Sequence, residues 1–141
     1  MNIRPIIIVE DDEDDAEFLA NAFIETGADC KFRCFSSPVT ALEYLKTTAE
    51  LPLVIISDIN MPVVNGLEFK RLINEGKLLE GKAIPFIFLS TTVNMRLIRE
   101  AYHLSIQGFF KKPNNIADFD IIAKSIVDYC GNSKSLNQMA C

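Results

Sequence analysis

The 141-residue sequence has one histidine, His103, and no Cys-x-x-Cys pair, so a zinc site lacks plausible ligands. Its four cysteines are Cys30, Cys34, Cys130 and Cys141. The first two fall together on an expected strand, where four residues at about 3.3 Å each hold them roughly 13 Å apart. That separation is beyond disulfide reach, and reduced thiols are expected. Long apolar runs are also missing. Ile6 to Val9 and Pro85 to Leu89 fall far short of the roughly 20 residues that a membrane span needs. The opening MNIRPIIIVEDD meets acids after four consecutive aliphatics, which leaves no room for the apolar segment of a signal peptide. A cytoplasmic protein with no membrane partner is expected. The net charge is −5 and Glu10 to Asp15 are six consecutive acids, whereas a nucleic-acid partner would demand a basic face. No nucleic-acid partner is expected.

What is present suits a single soluble domain with a full core: 49% hydrophobic and 23% charged residues in a chain of one-domain length. The continuous apolar run Pro5–Val9, ending in acids, predicts a strand buried on both faces, and further strands are read at Lys31–Phe35, Leu53–Ser57, Pro85–Leu89 and Gly108–Lys111. Between them, apolar residues at helical spacing predict helices over Glu13–Thr26, Pro38–Thr47, Gly66–Glu75, Asn94–Leu104 and Ile116–Cys130. Gly27 and Gly131 are read as stops, and Ser36, Ser37 and Pro38 as a helix opening. The strict alternation implies an α/β fold. A flavodoxin-like, doubly wound five-stranded parallel sheet of order 2-1-3-4-5, with helices on both faces, is the expected solution. Residues 1–131 form the domain in this reading, and 132–141 a short polar tail with no output domain.

In such sheets ligands bind outside the carboxyl ends of the strands, at the point where strand order reverses. Here those ends carry Glu10, Asp11 and Asp12, then Asp58 and Asn60, then Ser90 and Thr91, then Lys112 and Pro113. Three carboxylates gathered there repel one another, each pair by about 4 kcal/mol at 4 Å and an effective dielectric near 20. With Glu10, Asp11 and Asp58 ionised, Lys112 offsets one charge, and the remaining two call for a hard divalent cation such as Mg²⁺. Mg²⁺ keeps open positions for phosphate oxygens, so phosphoryl chemistry follows, with Asp58 as nucleophile, Lys112 stabilising charge and the Ser90 hydroxyl donating a hydrogen bond. The acids Glu13 to Asp15 are read instead as a solvated helix start favoured by the helix dipole.

Four segments, VEDD (Val9–Asp12), SDINMP (Ser57–Pro62), FLST (Phe88–Thr91) and GFFKKP (Gly108–Pro113), each at an expected strand end, resemble the receiver domains of two-component response regulators, the CheY-like family. That resemblance implies Asp58 as phosphoacceptor, and Mg²⁺ held by Glu10, Asp11, Asp58 and the Asn60 backbone carbonyl. It further implies that Lys112 binds the phosphoryl group, and that Ser90 and Phe109 form the switch pair that responds. Expected partners are a sensor histidine kinase or histidine phosphotransfer protein upstream, and a protein docking on the fourth helix, fifth strand and fifth helix downstream. A stand-alone signalling switch without independent substrate turnover is implied, while the isomer of the Lys112–Pro113 bond stays open.

Other classes fit less well. A flavodoxin-like cofactor binder needs glycines and hydroxyls, not acids, after the first strand. An aspartate-nucleophile phosphatase would carry a second aspartate where Asn60 stands. The competing reading is a degenerate receiver that acts as a phosphorylation-independent adaptor.

Overall fold

The computed structural model describes residues 3–132. Five strands alternate with five helices: β1 (Ile6–Val9), α1 (Glu13–Glu25), β2 (Phe32–Phe35), α2 (Pro38–Thr47), β3 (Val54–Asp58), α3 (Gly66–Glu75), β4 (Phe86–Ser90), α4 (Met95–Tyr102), β5 (Gly108–Lys111) and α5 (Ile116–Asn132). The strands form one parallel sheet in the order β2-β1-β3-β4-β5, the flavodoxin-like arrangement expected of the alternation. Two strand ends run one residue past expectation, so Asp58 closes β3 and Ser90 closes β4. Gly131 does not stop the last helix, which continues to Asn132. Cys30 lies before β2 and does not share it with Cys34; both are free thiols, as is Cys130. The remainder of the expected tail, including Cys141, lies outside the described residues.

Strand side chains alternate between faces, and the core follows that period of two. Ile7, Val9, Ile55, Phe86 and Phe88 pack with Ala41, Phe69, Ile73 and Ala101 of α2, α3 and α4. Ile6, Ile8, Val54, Ile56, Ile87 and Leu89 pack on the other face with Leu19, Phe23, Phe119 and Ile126 of α1 and α5. Both faces of the inner strands are therefore covered, which explains their unbroken apolar sequence. All five helices start on a capping side chain that accepts from a backbone N–H: Asp12 from Asp15, Ser37 from Val39, Asn65 from Glu68, Asn94 from Leu97, and Asn115 from Asp118. Each cap contributes about 1 kcal/mol and fixes where the preceding loop must turn.

An ionic cluster ties β2 to the α2–β3 connection. Glu50 accepts from Arg33 at 2.7 and 3.0 Å and from the Tyr44 hydroxyl at 2.7 Å, and pairs with Lys31 at 3.1 Å. Arg33 above all, then Tyr44 and Lys31, holds the Glu50 carboxyl down at about 2, from an ordinary 4.5. A lowered carboxyl contributes stability above its unfolded value and loses it as pH falls through the folded one. Glu50→Gln should therefore lower stability at neutral pH, by an amount cut down by solvent screening. The gap should close as pH drops from about 4.5 to about 2, as checked by urea denaturation of both proteins across that range.

Candidate phosphoryl-acceptor site

The parallel register sets the site. Val9 pairs with Ser57, Asp58 with Leu89 and Ser90 with Lys111, so the residues that end these strands meet at one edge of the sheet. Glu10 leaves β1 with its N–H bonded to the Phe35 carbonyl at 3.0 Å, and the Lys112 N–H bonds the Ser90 carbonyl at 2.8 Å. Backbone ties thus hold both ends of the arrangement. Glu10, Asp58 and Lys112 are all buried, whereas Asp11 is exposed.

Lys112 is the hub. Its ammonium lies 2.6 Å from Glu10 Oε1, 3.0 Å from Asp15 Oδ2 and 3.2 Å from Asp58 Oδ2. The other oxygen of Asp58, Oδ1, accepts from the N–H groups of Ile59 at 2.8 Å and Asn60 at 3.3 Å. Asn60 also donates its side-chain amide to Thr91 Oγ1 at 3.3 Å. Asp15 corrects the sequence reading, which left it on a solvated helix start. Asp12 caps α1 by accepting from the Asp15 N–H, and this first turn delivers the Asp15 carboxylate to Lys112. The available signal was its place in the first turn of a helix that begins at the crevice, but spacing alone does not choose between solvent and a lysine just past the end of β5.

Charge is crowded here. Burial pushes the Glu10 carboxyl up to about 8, the Lys112 hydrogen bond opposing that rise and the Asp58 charge adding to it. Burial also disfavours the Lys112 ammonium, but its bonds to Glu10 and Asp15 and the charge of Asp58 hold it above the ordinary lysine range. One ligand atom each from Glu10, Asp11 and Asp58 lie within 4.8 Å of one another. An all-oxygen set of three carboxyl groups this close together fits a hard divalent cation, which would offset their mutual repulsion.

Ser90 ends β4 and Phe109 lies on β5, the two strands that lead toward Lys112. The Ser90 hydroxyl is turned to its own loop, donating to the Thr92 carbonyl at 2.8 Å and accepting from the Thr92 N–H at 3.1 Å. Phe109 is half-buried and meets Phe88 edge-on, with ring centroids 6.4 Å apart. The Lys112–Pro113 peptide bond is trans.

Residues 6–124 match the response regulator receiver domain family. The chain belongs to that family. Among relatives of this receiver is the probable methanogenesis regulatory protein FilR2 of Methanothrix harundinacea, 27% identical over 128 residues, with 88% of this chain and 81% of FilR2 covered. The transcriptional regulatory protein FlgR of Helicobacter pylori is 35% identical over 108 residues, which are 77% of this chain and 26% of FlgR. Response regulator Rre1 of Synechocystis is 26% identical, and the match covers 86% of this chain and 51% of Rre1. The phosphorylated cyanobacterial phytochrome response regulator RcpA superposes with a TM-score of 0.83 at 24% identity, over 95% of this chain and 98% of that one. The Mn²⁺-bound form of response regulator Rcp1 superposes with a TM-score of 0.80 at 21% identity, over 95% and 99%. Receivers are signalling switches that bind Mg²⁺ at an acidic pocket and interact with histidine kinases or phosphotransfer proteins and with downstream partners. No helix among the described residues of this receiver is long and apolar enough to cross a membrane.

Proposed function

We propose that this receiver takes a phosphoryl group onto Asp58 from a sensor histidine kinase or histidine phosphotransfer protein, in a Mg²⁺-dependent reaction. The supporting observation is the Asp58 carboxylate itself: buried, held by two backbone N–H groups and Lys112, and within reach of a common ion with Glu10 and Asp11. Glu10, Asp11, Asp58 and the Asn60 carbonyl would hold Mg²⁺. When bound, the ion neutralises the acidic cluster and the charge on the transferring phosphoryl oxygens.

The chain's own groups carry the rest. An Asp58 oxygen attacks phosphorus, a P–O bond forms, and the phosphorus bond to the donor breaks with the electron pair leaving on the donor: imidazole nitrogen for phosphohistidine, carboxylate oxygen for acetyl phosphate. The backbone N–H groups on Oδ1 fix the carboxylate and so lower the entropic cost of alignment. Lys112 moves from the Asp58 carboxylate to the phosphoryl oxygens without changing its own charge. Ser90 exchanges the Thr92 carbonyl for a phosphoryl oxygen, and Phe109 turns inward into the space this opens, altering the face made by α4, β5 and α5. Exposed Met95 and Tyr102 on α4 give a downstream protein apolar purchase there.

Incubation with Mg²⁺ and acetyl phosphate, read by intact mass, tests the reading. A gain of one phosphoryl group that a chelator prevents is expected. No gain with acetyl phosphate, and none with any phosphohistidine donor, would favour the phosphorylation-independent adaptor.

A further inference from the structure

At the opposite end of the sheet, where β4 and β5 begin, α3 and the connections that precede those two strands line an open, solvent-facing cavity of about 440 Å³. Lys70 on its lining is only 5% exposed, yet among the described residues no carboxylate lies within ion-pair distance of it. Buried lysines are ordinarily paired, because an uncompensated charge out of water is costly. Here the ammonium donates to Asn74 Oδ1 at 2.7 Å and lies 5.4 Å from the centre of the Phe86 ring. With three hydrogens on the nitrogen, these contacts leave donor capacity, and the Phe86 ring offsets only part of a charge that no carboxylate balances. Burial accordingly pushes the Lys70 ammonium below the ordinary lysine range.

The surroundings are built around it. Asn74 is anchored by donating to the Leu104 carbonyl at 3.0 Å, and Gln107 by accepting from the Phe86 N–H at 2.7 Å. Ser105 sits in the left-handed region at φ 64°, a conformation that costs a non-glycine residue about 1–2 kcal/mol. Ser105 is exposed and lines the cavity with its backbone carbonyl accepting from the Gln107 side-chain amide at 3.3 Å. Exposed Lys77 and Glu80 also line the cavity, so its formal charge is two ammoniums against one carboxylate. Ile73, Leu79 and Ile84 supply aliphatic wall.

We infer that this cavity binds a small organic monocarboxylate, with Lys70 as counter-ion, Ser105 and Lys77 as further donors, and the aliphatic wall against its hydrocarbon part. The surplus of one positive charge matches one carboxylate, and Glu80 opposes more highly charged anions. The site is independent of phosphoryl transfer to Asp58.

The probe is butyrate, titrated into the full ¹⁵N-labelled chain at constant ionic strength, with the side-chain amide signals of Asn74 and Gln107 observed. Saturable shifts with a Kd on the order of millimolar are expected for so small a ligand. Lys70→Met should weaken binding by about tenfold or more and Lys77→Ala by a few-fold, the latter at an exposed position where folding is not at stake. Butylammonium, the same hydrocarbon with the opposite charge, should produce no saturable shift. Shifts that never saturate, that survive Lys70→Met and Lys77→Ala unchanged, or that butylammonium reproduces would overturn the assignment. Saturation by inorganic phosphate without any response to butyrate would overturn the carboxylate class.

Discussion

Asp58→Asn should fold like the wild-type chain and gain no phosphoryl group from acetyl phosphate under conditions where the wild type gains one. The amide has no anionic oxygen to attack phosphorus, so the loss is complete and not partial. Folding survives because the amide oxygen of the variant can still accept from the backbone N–H groups of Ile59 and Asn60, which Asp58 Oδ1 engages in the wild type. Lys112 is not orphaned either: Glu10 and Asp15 remain at 2.6 and 3.0 Å. Removing one of several crowded carboxylates relieves repulsion, while an amide hydrogen turned toward the ammonium offsets part of that gain. The net change in stability should stay within about 1 kcal/mol. Divalent-ion affinity should fall by about tenfold or more if Asp58 holds the ion as proposed, since that oxygen loses its charge. Intact mass, urea denaturation and calorimetric titration of the ion check the three parts separately. A mutant that still gains one phosphoryl group would place the acceptor elsewhere.

Gly66→Ala should destabilise the chain by about 3 kcal/mol or more and slow phosphoryl uptake by the fraction that stays folded. A methyl group at this position would lie 2.2 Å from the Asp58 carbonyl oxygen, 2.8 Å from Ile59 Cα and 3.0 Å from the Asp58 carbonyl carbon. All three are backbone atoms, so no side chain can rotate away. The Gly66 N–H also bonds the Ile59 carbonyl at 2.8 Å, which locks the start of α3 against the end of β3. Helix propensity alone predicts the opposite sign, since alanine is favoured over glycine by about 1 kcal/mol in a helix. The contact wins because separating the two segments displaces the peptide that carries Asp58. A displacement near 1 Å at the reacting group costs about 100-fold in rate, so uptake per folded molecule should fall by roughly that factor. Urea denaturation and the initial rate of mass gain test both halves. A stabilised Gly66→Ala chain with a normal rate would show that α3 moves freely relative to β3.

The sequence alone was enough for the architecture, because period-two and period-3.6 patterns report burial directly. An unbroken run such as Ile6–Val9, bounded by acids, suits a strand covered on both faces, and the stripe Phe18, Leu19, Ala22 and Phe23 suits a helix face, of which Phe18 turns out exposed while the other three are buried. Alternation of the two, with right-handed crossovers, then left the strand order little freedom and put Glu10, Asp58, Ser90 and Lys112 at one edge of the sheet. Distances across elements were another matter. Nothing in the spacing of Asp15 chose Lys112 over water, and nothing in Gly66 announced a 2.2 Å approach to the Asp58 carbonyl. Lys70 carried no motif; its burial without an acid emerges only where α3 meets the loops before β4 and β5. The Ser90 hydroxyl, tied to Thr92, was equally invisible. Periodicity is a property of one element and decides which way a side chain faces. Contact, charge balance and close approach depend on how separate elements are set against each other, and only the folded chain decides that.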